Sequence, residues 1–122
     1  MNPIPNIRAV VPNFADKRGV ITDLLCQACD VVTLVTSQAG SERGHHYHLT
    51  STQWIYLLSG EMVVKVKAPD GSIVSGTMKA GDLYENPPME AHVLVAVVDS
   101  VFLSMTKGPK QQNGDTVKER VE

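Results

Sequence analysis

Two histidines separated by one residue, His46 and His48, are the residues of this chain best placed to do chemistry. On an extended strand, side chains two apart project to the same face, and Gln53 returns to that face further along. Neutral imidazole is the commonest biological metal ligand, and an i, i+2 pair on a strand aims two nitrogens at one point without backbone strain. A third histidine, His92, follows the turn signals Gly81 and Pro87-Pro88. His46, His48 and His92, with Gln53 as a fourth member, form a candidate site for a divalent metal ion. The competing reading is a polar loop whose histidines are solvated. One His-x-His pair does not choose between the two without structural context.

The elements that must position these residues read as short strands. Ile7 to Val11, closed by Pro12-Asn13, and Val20 to Leu25, after an Arg18-Gly19 turn, read as two strands joined by a loop. Val31 to Thr36 is apolar on both faces and reads as a strand covered on both sides. Glu61 to Lys67 alternates, with Lys65 and Lys67 on a wet face and Met62, Val64 and Val66 on a dry one. Pro69-Asp70-Gly71 is a hairpin turn into Ser72 to Met78, and Lys79 to Asp82 is another. Leu83 to Glu85, Ala91 to Val98 and Val101 to Met105 complete the set. No segment sustains a period of 3.6, and turn signals recur about every ten residues, which predicts an all-β sandwich or barrel. The polar tail from Lys107 reads as a loop or arm outside the core.

The spacing carries a resemblance. Gly40, His46-x-His48, Gln53 and Gly60 resemble the first motif of the cupin superfamily, with Gln53 where that family usually has Glu. Gly81, Pro87 and His92 resemble the second motif, with Met89 at a usual Gly and Ala96 at a usual Asn. The resemblance implies a single cupin domain over residues 1–122: a jelly-roll β-barrel, or double-stranded β-helix, with residues 107–122 as a polar C-terminal tail. Phe14-x-Asp16-x-Arg18-Gly19-x-Ile21 is similar to the opening of nucleotide-sugar epimerases and ketoisomerases within the superfamily. Arg43-Gly44-His45-His46-Tyr47-His48 followed by Gln53 is similar to the dTDP-sugar 3,4-ketoisomerases. Those enzymes typically lack a histidine at the position of His92, so the three-histidine set favours a metal site, as in the cupin domains of capsular-polysaccharide enzymes.

Replacing Glu by Gln53 leaves the +2 charge of an ion unquenched, making it a stronger Lewis acid but more weakly held. Zn, Ni, Mn and Fe(II) all suit such a ligand set, and Glu85 or Glu90 are further carboxylate candidates. Two enzyme classes follow. One moves a proton beside a sugar carbonyl, as an isomerase or epimerase, with His46, His48, Arg43 and Tyr84 as candidate catalytic residues. The other is a metal-dependent dioxygenase or lyase acting on a small organic acid or phenol. A non-enzymatic sugar-binding or sensing module is a third reading. Tyr47 and His45 alternate away from the ion and are assigned to packing or to solvent.

Composition bounds the partners. A chain of 122 residues makes one domain. Its net charge of −2 supplies no basic surface for nucleic acid. No apolar run reaches the length of a membrane span, and Met1-Asn2-Pro3-Ile4 does not open a signal peptide, so a cytoplasmic protein acting on a small molecule is expected. Cys26-x-x-Cys29 lacks the second pair of a zinc knuckle and the helix of a redox motif, and is expected to stay reduced. Trp54, Tyr56, Val93, Val95 and Val97 lie on faces opposite the site, where polar residues are expected. Their burial in a homodimer is the economical explanation.

Overall fold

The computed structural model describes residue 4 and residues 6–109 and 114–122. Twelve strands and no helix occur among them: β1 (Ile7–Ala9), β2 (Phe14–Asp16), β3 (Gly19–Ile21), β4 (Val31–Ser37), β5 (Glu42–His48), β6 (Thr52–Ser59), β7 (Glu61–Lys67), β8 (Ile73–Lys79), β9 (Asp82–Asn86), β10 (His92–Ala96), β11 (Ser100–Lys107) and β12 (Thr116–Lys118). The first large sheet has the order β1-β9-β6-β11-β4 and the second β12-β5-β10-β7-β8, every pairing antiparallel. Sequential strands therefore alternate between sheets at β4/β5, β5/β6 and β6/β7, which is jelly-roll connectivity.

The alternating patterns decide which faces meet. Met62, Val64 and Val66 of β7 turn inward with Ile55 and Leu57 of β6, Leu94 of β10, Met78, Tyr84 and Phe102, and these close one end of the space between the sheets. Lys65 and Lys67 take the outer face as expected, Lys67 pairing with Glu119 at 3.3 Å. The β7–β8 hairpin turns where predicted: Gly71 N donates to Ala68 O and Ala68 N to Ser72 O, with Gly71 at φ 90°.

Four expectations are corrected. The N-terminal region has three strands where two were expected: β1 pairs with β9, while Phe14–Asp16 forms β2 in a separate hairpin with β3, which ends at Ile21 and not at Leu25, with the Arg18 guanidinium on Asp16 at 2.7 Å. The segment Val31 to Thr36 is not covered on both sides, because as β4 it is a sheet edge whose outer Val32 and Leu34 are 60% and 63% exposed. The apolar outer faces are covered in part within the chain itself, although Val97 stays 47% exposed. Trp54 is buried with Leu83 and Met105 under Val10, Leu25 and Cys29, and Val93 is buried with Ala91 under Val121. These two residues therefore supply no argument for a dimer.

Nor does the tail lie wholly outside the core. Its residues 110–113 fall outside the described set, as do Met1 to Pro3, but residues 114–122 return onto the second sheet. β12 pairs with β5, Thr116 opposite His48 and Lys118 opposite His46. Asp115 anchors the return: its carboxylate accepts from Thr50 N (3.0 Å), Thr50 Oγ1 (2.6 Å) and Ser51 N (3.1 Å). Burial pushes the Asp115 pKa up, but the hydrogen bonds from Ser51 and Thr50 outweigh it and hold the group at about 2. A polar composition hid this because the docking rests on backbone pairing, one carboxylate and one apolar residue, Val121.

Candidate metal centre

β5 and β10 are antiparallel neighbours, and His92 lies directly opposite His46. Parity puts His48 on the same face. The three rings converge, with centroids 5.0 Å apart for His46 and His48, 4.9 Å for His46 and His92, and 5.9 Å for His48 and His92. One ring nitrogen from each lies within 4.8 Å of the others. His48 and His92 are buried and His46 half-buried at the cavity wall.

Burial is the main cause of the electrostatics here. It lowers the His46 pKa to about 4 and the His92 pKa to about 3, each helped by the neighbouring imidazoles. His48 is lowered by the same burial, opposed by its hydrogen bond to Gln53. All three rings are neutral at pH 7 and keep a lone pair for coordination. His92 Nδ1 is buried and makes no well-formed hydrogen bond, although the Glu90 backbone lies near enough to oppose the fall in its pKa.

Gln53 joins the cluster from the facing sheet. Its side-chain oxygen lies 3.2 Å from His48 Nε2, and its Nε2 donates to Ser104 Oγ at 2.7 Å. Two donor atoms on one ion with bonds of about 2.1 Å sit roughly 3 Å apart, which the His48 and Gln53 atoms already match. Three neutral convergent imidazoles and an amide oxygen at this spacing fit a divalent cation.

The cavity beside the cluster has a volume of about 770 Å³ and lies between the sheets. Its walls are Val31, Thr33 and Val35 of β4, Ile55, Leu94 and Phe102 at its floor, Ser104 and Thr106 of β11, Thr116 of β12, and Glu42, Arg43 and Gly44 beside the histidines and Gln53. Arg43 reaches this wall because of a bulge. Gly44 and His45 both have positive φ, 119° and 55°, and the pairing slips between His92 and Val93. The extra residue moves Arg43 opposite Leu94, on the inner face, where unbroken alternation from His46 would turn it outward. Its Nε donates to Ser37 Oγ and its Nη2 to Thr36 O, both at 2.8 Å, so the guanidinium is held at the rim. Gly44 sits so close to β10 that an added Cβ would lie 2.6 Å from His92 O.

Several residues singled out in the sequence do not line the cavity. Tyr84 is fully buried behind the cluster, its ring 6.2 Å from that of His92, and is not part of the cavity wall; its hydroxyl donates to Glu90 Oε2 at 2.6 Å and accepts from Asn86 Nδ2 at 3.0 Å. Burial and the Glu90 carboxylate push its pKa far up, so it does not serve as a base. Glu90 is committed to Tyr84, and Glu85 accepts from Trp54 Nε1 on the outer face, so neither brings a carboxylate to the cluster. His45 turns away, between Glu42 (2.7 Å) and the Val121 amide (3.1 Å), and Tyr47 packs with Val93 and Val95. Cys26 and Cys29 are free, and Cys29 packs near Trp54.

A two-sheet jelly roll with a histidine cluster at the wall of its internal cavity defines a cupin-type barrel. A family model described as Cupin matches residues 24–120, and the chain belongs to this family. No curated protein matches it in sequence. Among solved structures it is similar to the 3,4-ketoisomerase QdtA of Thermoanaerobacterium thermosaccharolyticum bound to TDP-4-keto-6-deoxyglucose, with 17% identity, TM-score 0.77, and 94% of this chain and 88% of that one covered. It is also similar to dTDP-4-dehydrorhamnose 3,5-epimerase of Sulfolobus tokodaii, with 20% identity, TM-score 0.70, and coverage of 84% and 70%. Oxalate decarboxylase of Bacillus subtilis, described with Mn(II) centres, shares 28% identity over 71% of this chain, at TM-score 0.62, and the match spans only 23% of that protein.

Proposed function

We propose that this chain is a metal-dependent cupin enzyme acting on a small polar metabolite, with an isomerase or epimerase-type proton transfer on a carbohydrate or nucleotide sugar as its reaction. The observation that carries the metal is the convergence of His46, His48 and His92 as neutral imidazoles beside the Gln53 oxygen. Those four residues hold the divalent ion, Zn, Ni, Mn or Fe. The ion supplies Lewis-acid polarisation of a carbonyl oxygen. The chain's own residues bind and orient. Arg43, fixed at the rim by Ser37 and Thr36, offers its remaining N–H groups to an anionic substituent, and the hydroxyls of Thr33, Thr106 and Thr116 line the walls for a hydroxylated ligand. The likeness to the ketoisomerase and epimerase structures supports the substrate class.

A second reading, a metal-dependent dioxygenase or lyase on a small organic acid, is favoured by one observation. The 28% identity with a Mn(II) decarboxylase exceeds that with the sugar enzymes. A homodimer is part of the proposal and rests on Val97, which stays exposed, and on Val32, Leu34 and Leu58, exposed on the outer face of the first sheet; light scattering showing a monomer at micromolar concentration removes it.

Elemental analysis of untagged protein, followed by thermal-shift titration with dTDP-sugars and with oxalate, tests both readings. A nucleotide sugar that raises Tm supports the first, and oxalate alone raising it supports the second. Absence of bound or acquired divalent metal refutes both.

A further inference from the structure

The buried amide of Gln53 and the hydroxyl of Ser104 fix one another's polarity. Ser104 is 6% exposed, lines the cavity, and bonds no side chain among the described residues other than Gln53. An amide has a donor end and an acceptor end, whereas a hydroxyl both donates once and accepts. With a cation at the imidazole cluster, the negative end of the amide faces the cluster and the NH2 end faces Ser104. The 2.7 Å contact from Gln53 Nε2 to Ser104 Oγ is then one that Ser104 accepts. Its own O–H hydrogen is left over, and the remaining open direction is the cavity.

We infer that Ser104 is a specificity-determining donor, held in that role by Gln53, which selects a ligand presenting an acceptor oxygen, a carbonyl or carboxylate, beside the ion. This rests on the proposed metal centre and narrows its substrate class. It also accounts for glutamine at position 53. A carboxylate there has only lone pairs and would take the Ser104 hydrogen for itself, so Ser104 would show the cavity an acceptor and select a hydroxyl instead. A hydrogen bond to a charged acceptor in such a site is a recognition element whose loss leaves the partner unpaired.

The test is a double-mutant cycle on Co(II)-loaded protein, with oxalate as the probe and the visible Co(II) bands as the readout. Ser104→Ala weakens oxalate binding about 10-fold, the equivalent of a lost charge-assisted hydrogen bond, while Co(II) affinity changes less than about 3-fold. Gln53→Glu also weakens oxalate at least 10-fold and tightens Co(II). Adding Ser104→Ala to Gln53→Glu costs less than about 3-fold more, because the hydroxyl no longer faces the cavity as a donor. Ser104→Cys, which keeps the shape with only a weak S–H donor, gives the same loss and serves if the alanine variant does not fold. Additive losses in the cycle, or oxalate affinity unchanged in both Ser104 variants, overturn the assignment while the metal reading stands. Failure of the wild type to take up Co(II) overturns the metal reading, and this inference with it.

Discussion

Lowering the pH from 7.5 to 5 in the presence of a chelator should destabilise the fold through the histidine cluster alone. His92 is 1% exposed and titrates at about 3 in the folded chain, against about 6.5 when unfolded. Above pH 6.5 both states are neutral there, so the group adds no pH dependence. As pH falls below 6.5 the unfolded chain takes up a proton that the folded one refuses, and stability drops until the folded values near 4 and 3 are passed. At pH 5 the gap is about 1.5 units, or about 2 kcal/mol for His92, and this figure does not depend on how far below 5 the folded pKa lies. His46, at about 4 but half-exposed, is discounted for solvent screening to roughly 1 kcal/mol. The sum, about 3 kcal/mol, is a large part of the 5–15 kcal/mol typical of a domain. Asp115, at about 2, titrates below this window and does not contribute. Urea unfolding at the two pH values measures the loss, and His92→Gln should remove about 2 kcal/mol of the difference. Equal stability at pH 7.5 and 5, or an undiminished loss in His92→Gln, refutes the reasoning.

Gly44→Ala places a methyl 2.6 Å from His92 O and strains a φ of 119°, so urea unfolding should show a loss of at least 2 kcal/mol and isothermal titration a weaker metal site. Asp115→Ala strands the Thr50 and Ser51 donors, costing roughly 2–3 kcal/mol, seen as a fall in Tm of roughly 10 °C. Met89 sits at φ 71° with its side chain 61% exposed and its amide bonded to His48 O at 2.7 Å, so Met89→Gly should raise stability by about 0.5 kcal/mol. A loss above 1 kcal/mol would show that its side chain packs more than its exposure indicates.

The strands, their turns and the three-histidine cluster were legible because each rests on local rules: period-two alternation, glycine and proline punctuation, and imidazole spacing. Met89 is instructive, since the positive φ observed there is the reason a glycine is the usual choice. What covers Trp54 and Val93 was not legible, because residues 22–30 and 119–121 are aperiodic and dock through a few side chains. Arg43 faces the cavity only through the bulge at Gly44-His45, which an unbroken alternation does not foresee. That Tyr84 stands behind His92 and not at the cavity wall was not legible, because an inward phenol looks the same in sequence whether it lines the cavity or fills the core. Ser104 and Thr106 were missed, although they alternate with Phe102 on one face of β11 and the parity of that strand could have shown them.

The pairing of β12 with the histidine strand has a consequence for how the molecule is made. Neither neighbour of β5 is adjacent in sequence: one edge waits for residues 92–96 and the other for residues 116–118. A nascent chain that has extended to Gly60 holds two of the three imidazoles and no cavity, with both edges of β5 open. Closure at such sequence separations is slow, and an open strand edge, with its unpaired N–H and C=O groups, is a template for pairing with other chains. The three imidazoles therefore come together only when β10 brings His92. Chains interrupted between residues 107 and 115 would have both sheets otherwise paired and all three imidazoles beside an unguarded β5 edge, a species in which aggregation competes with folding.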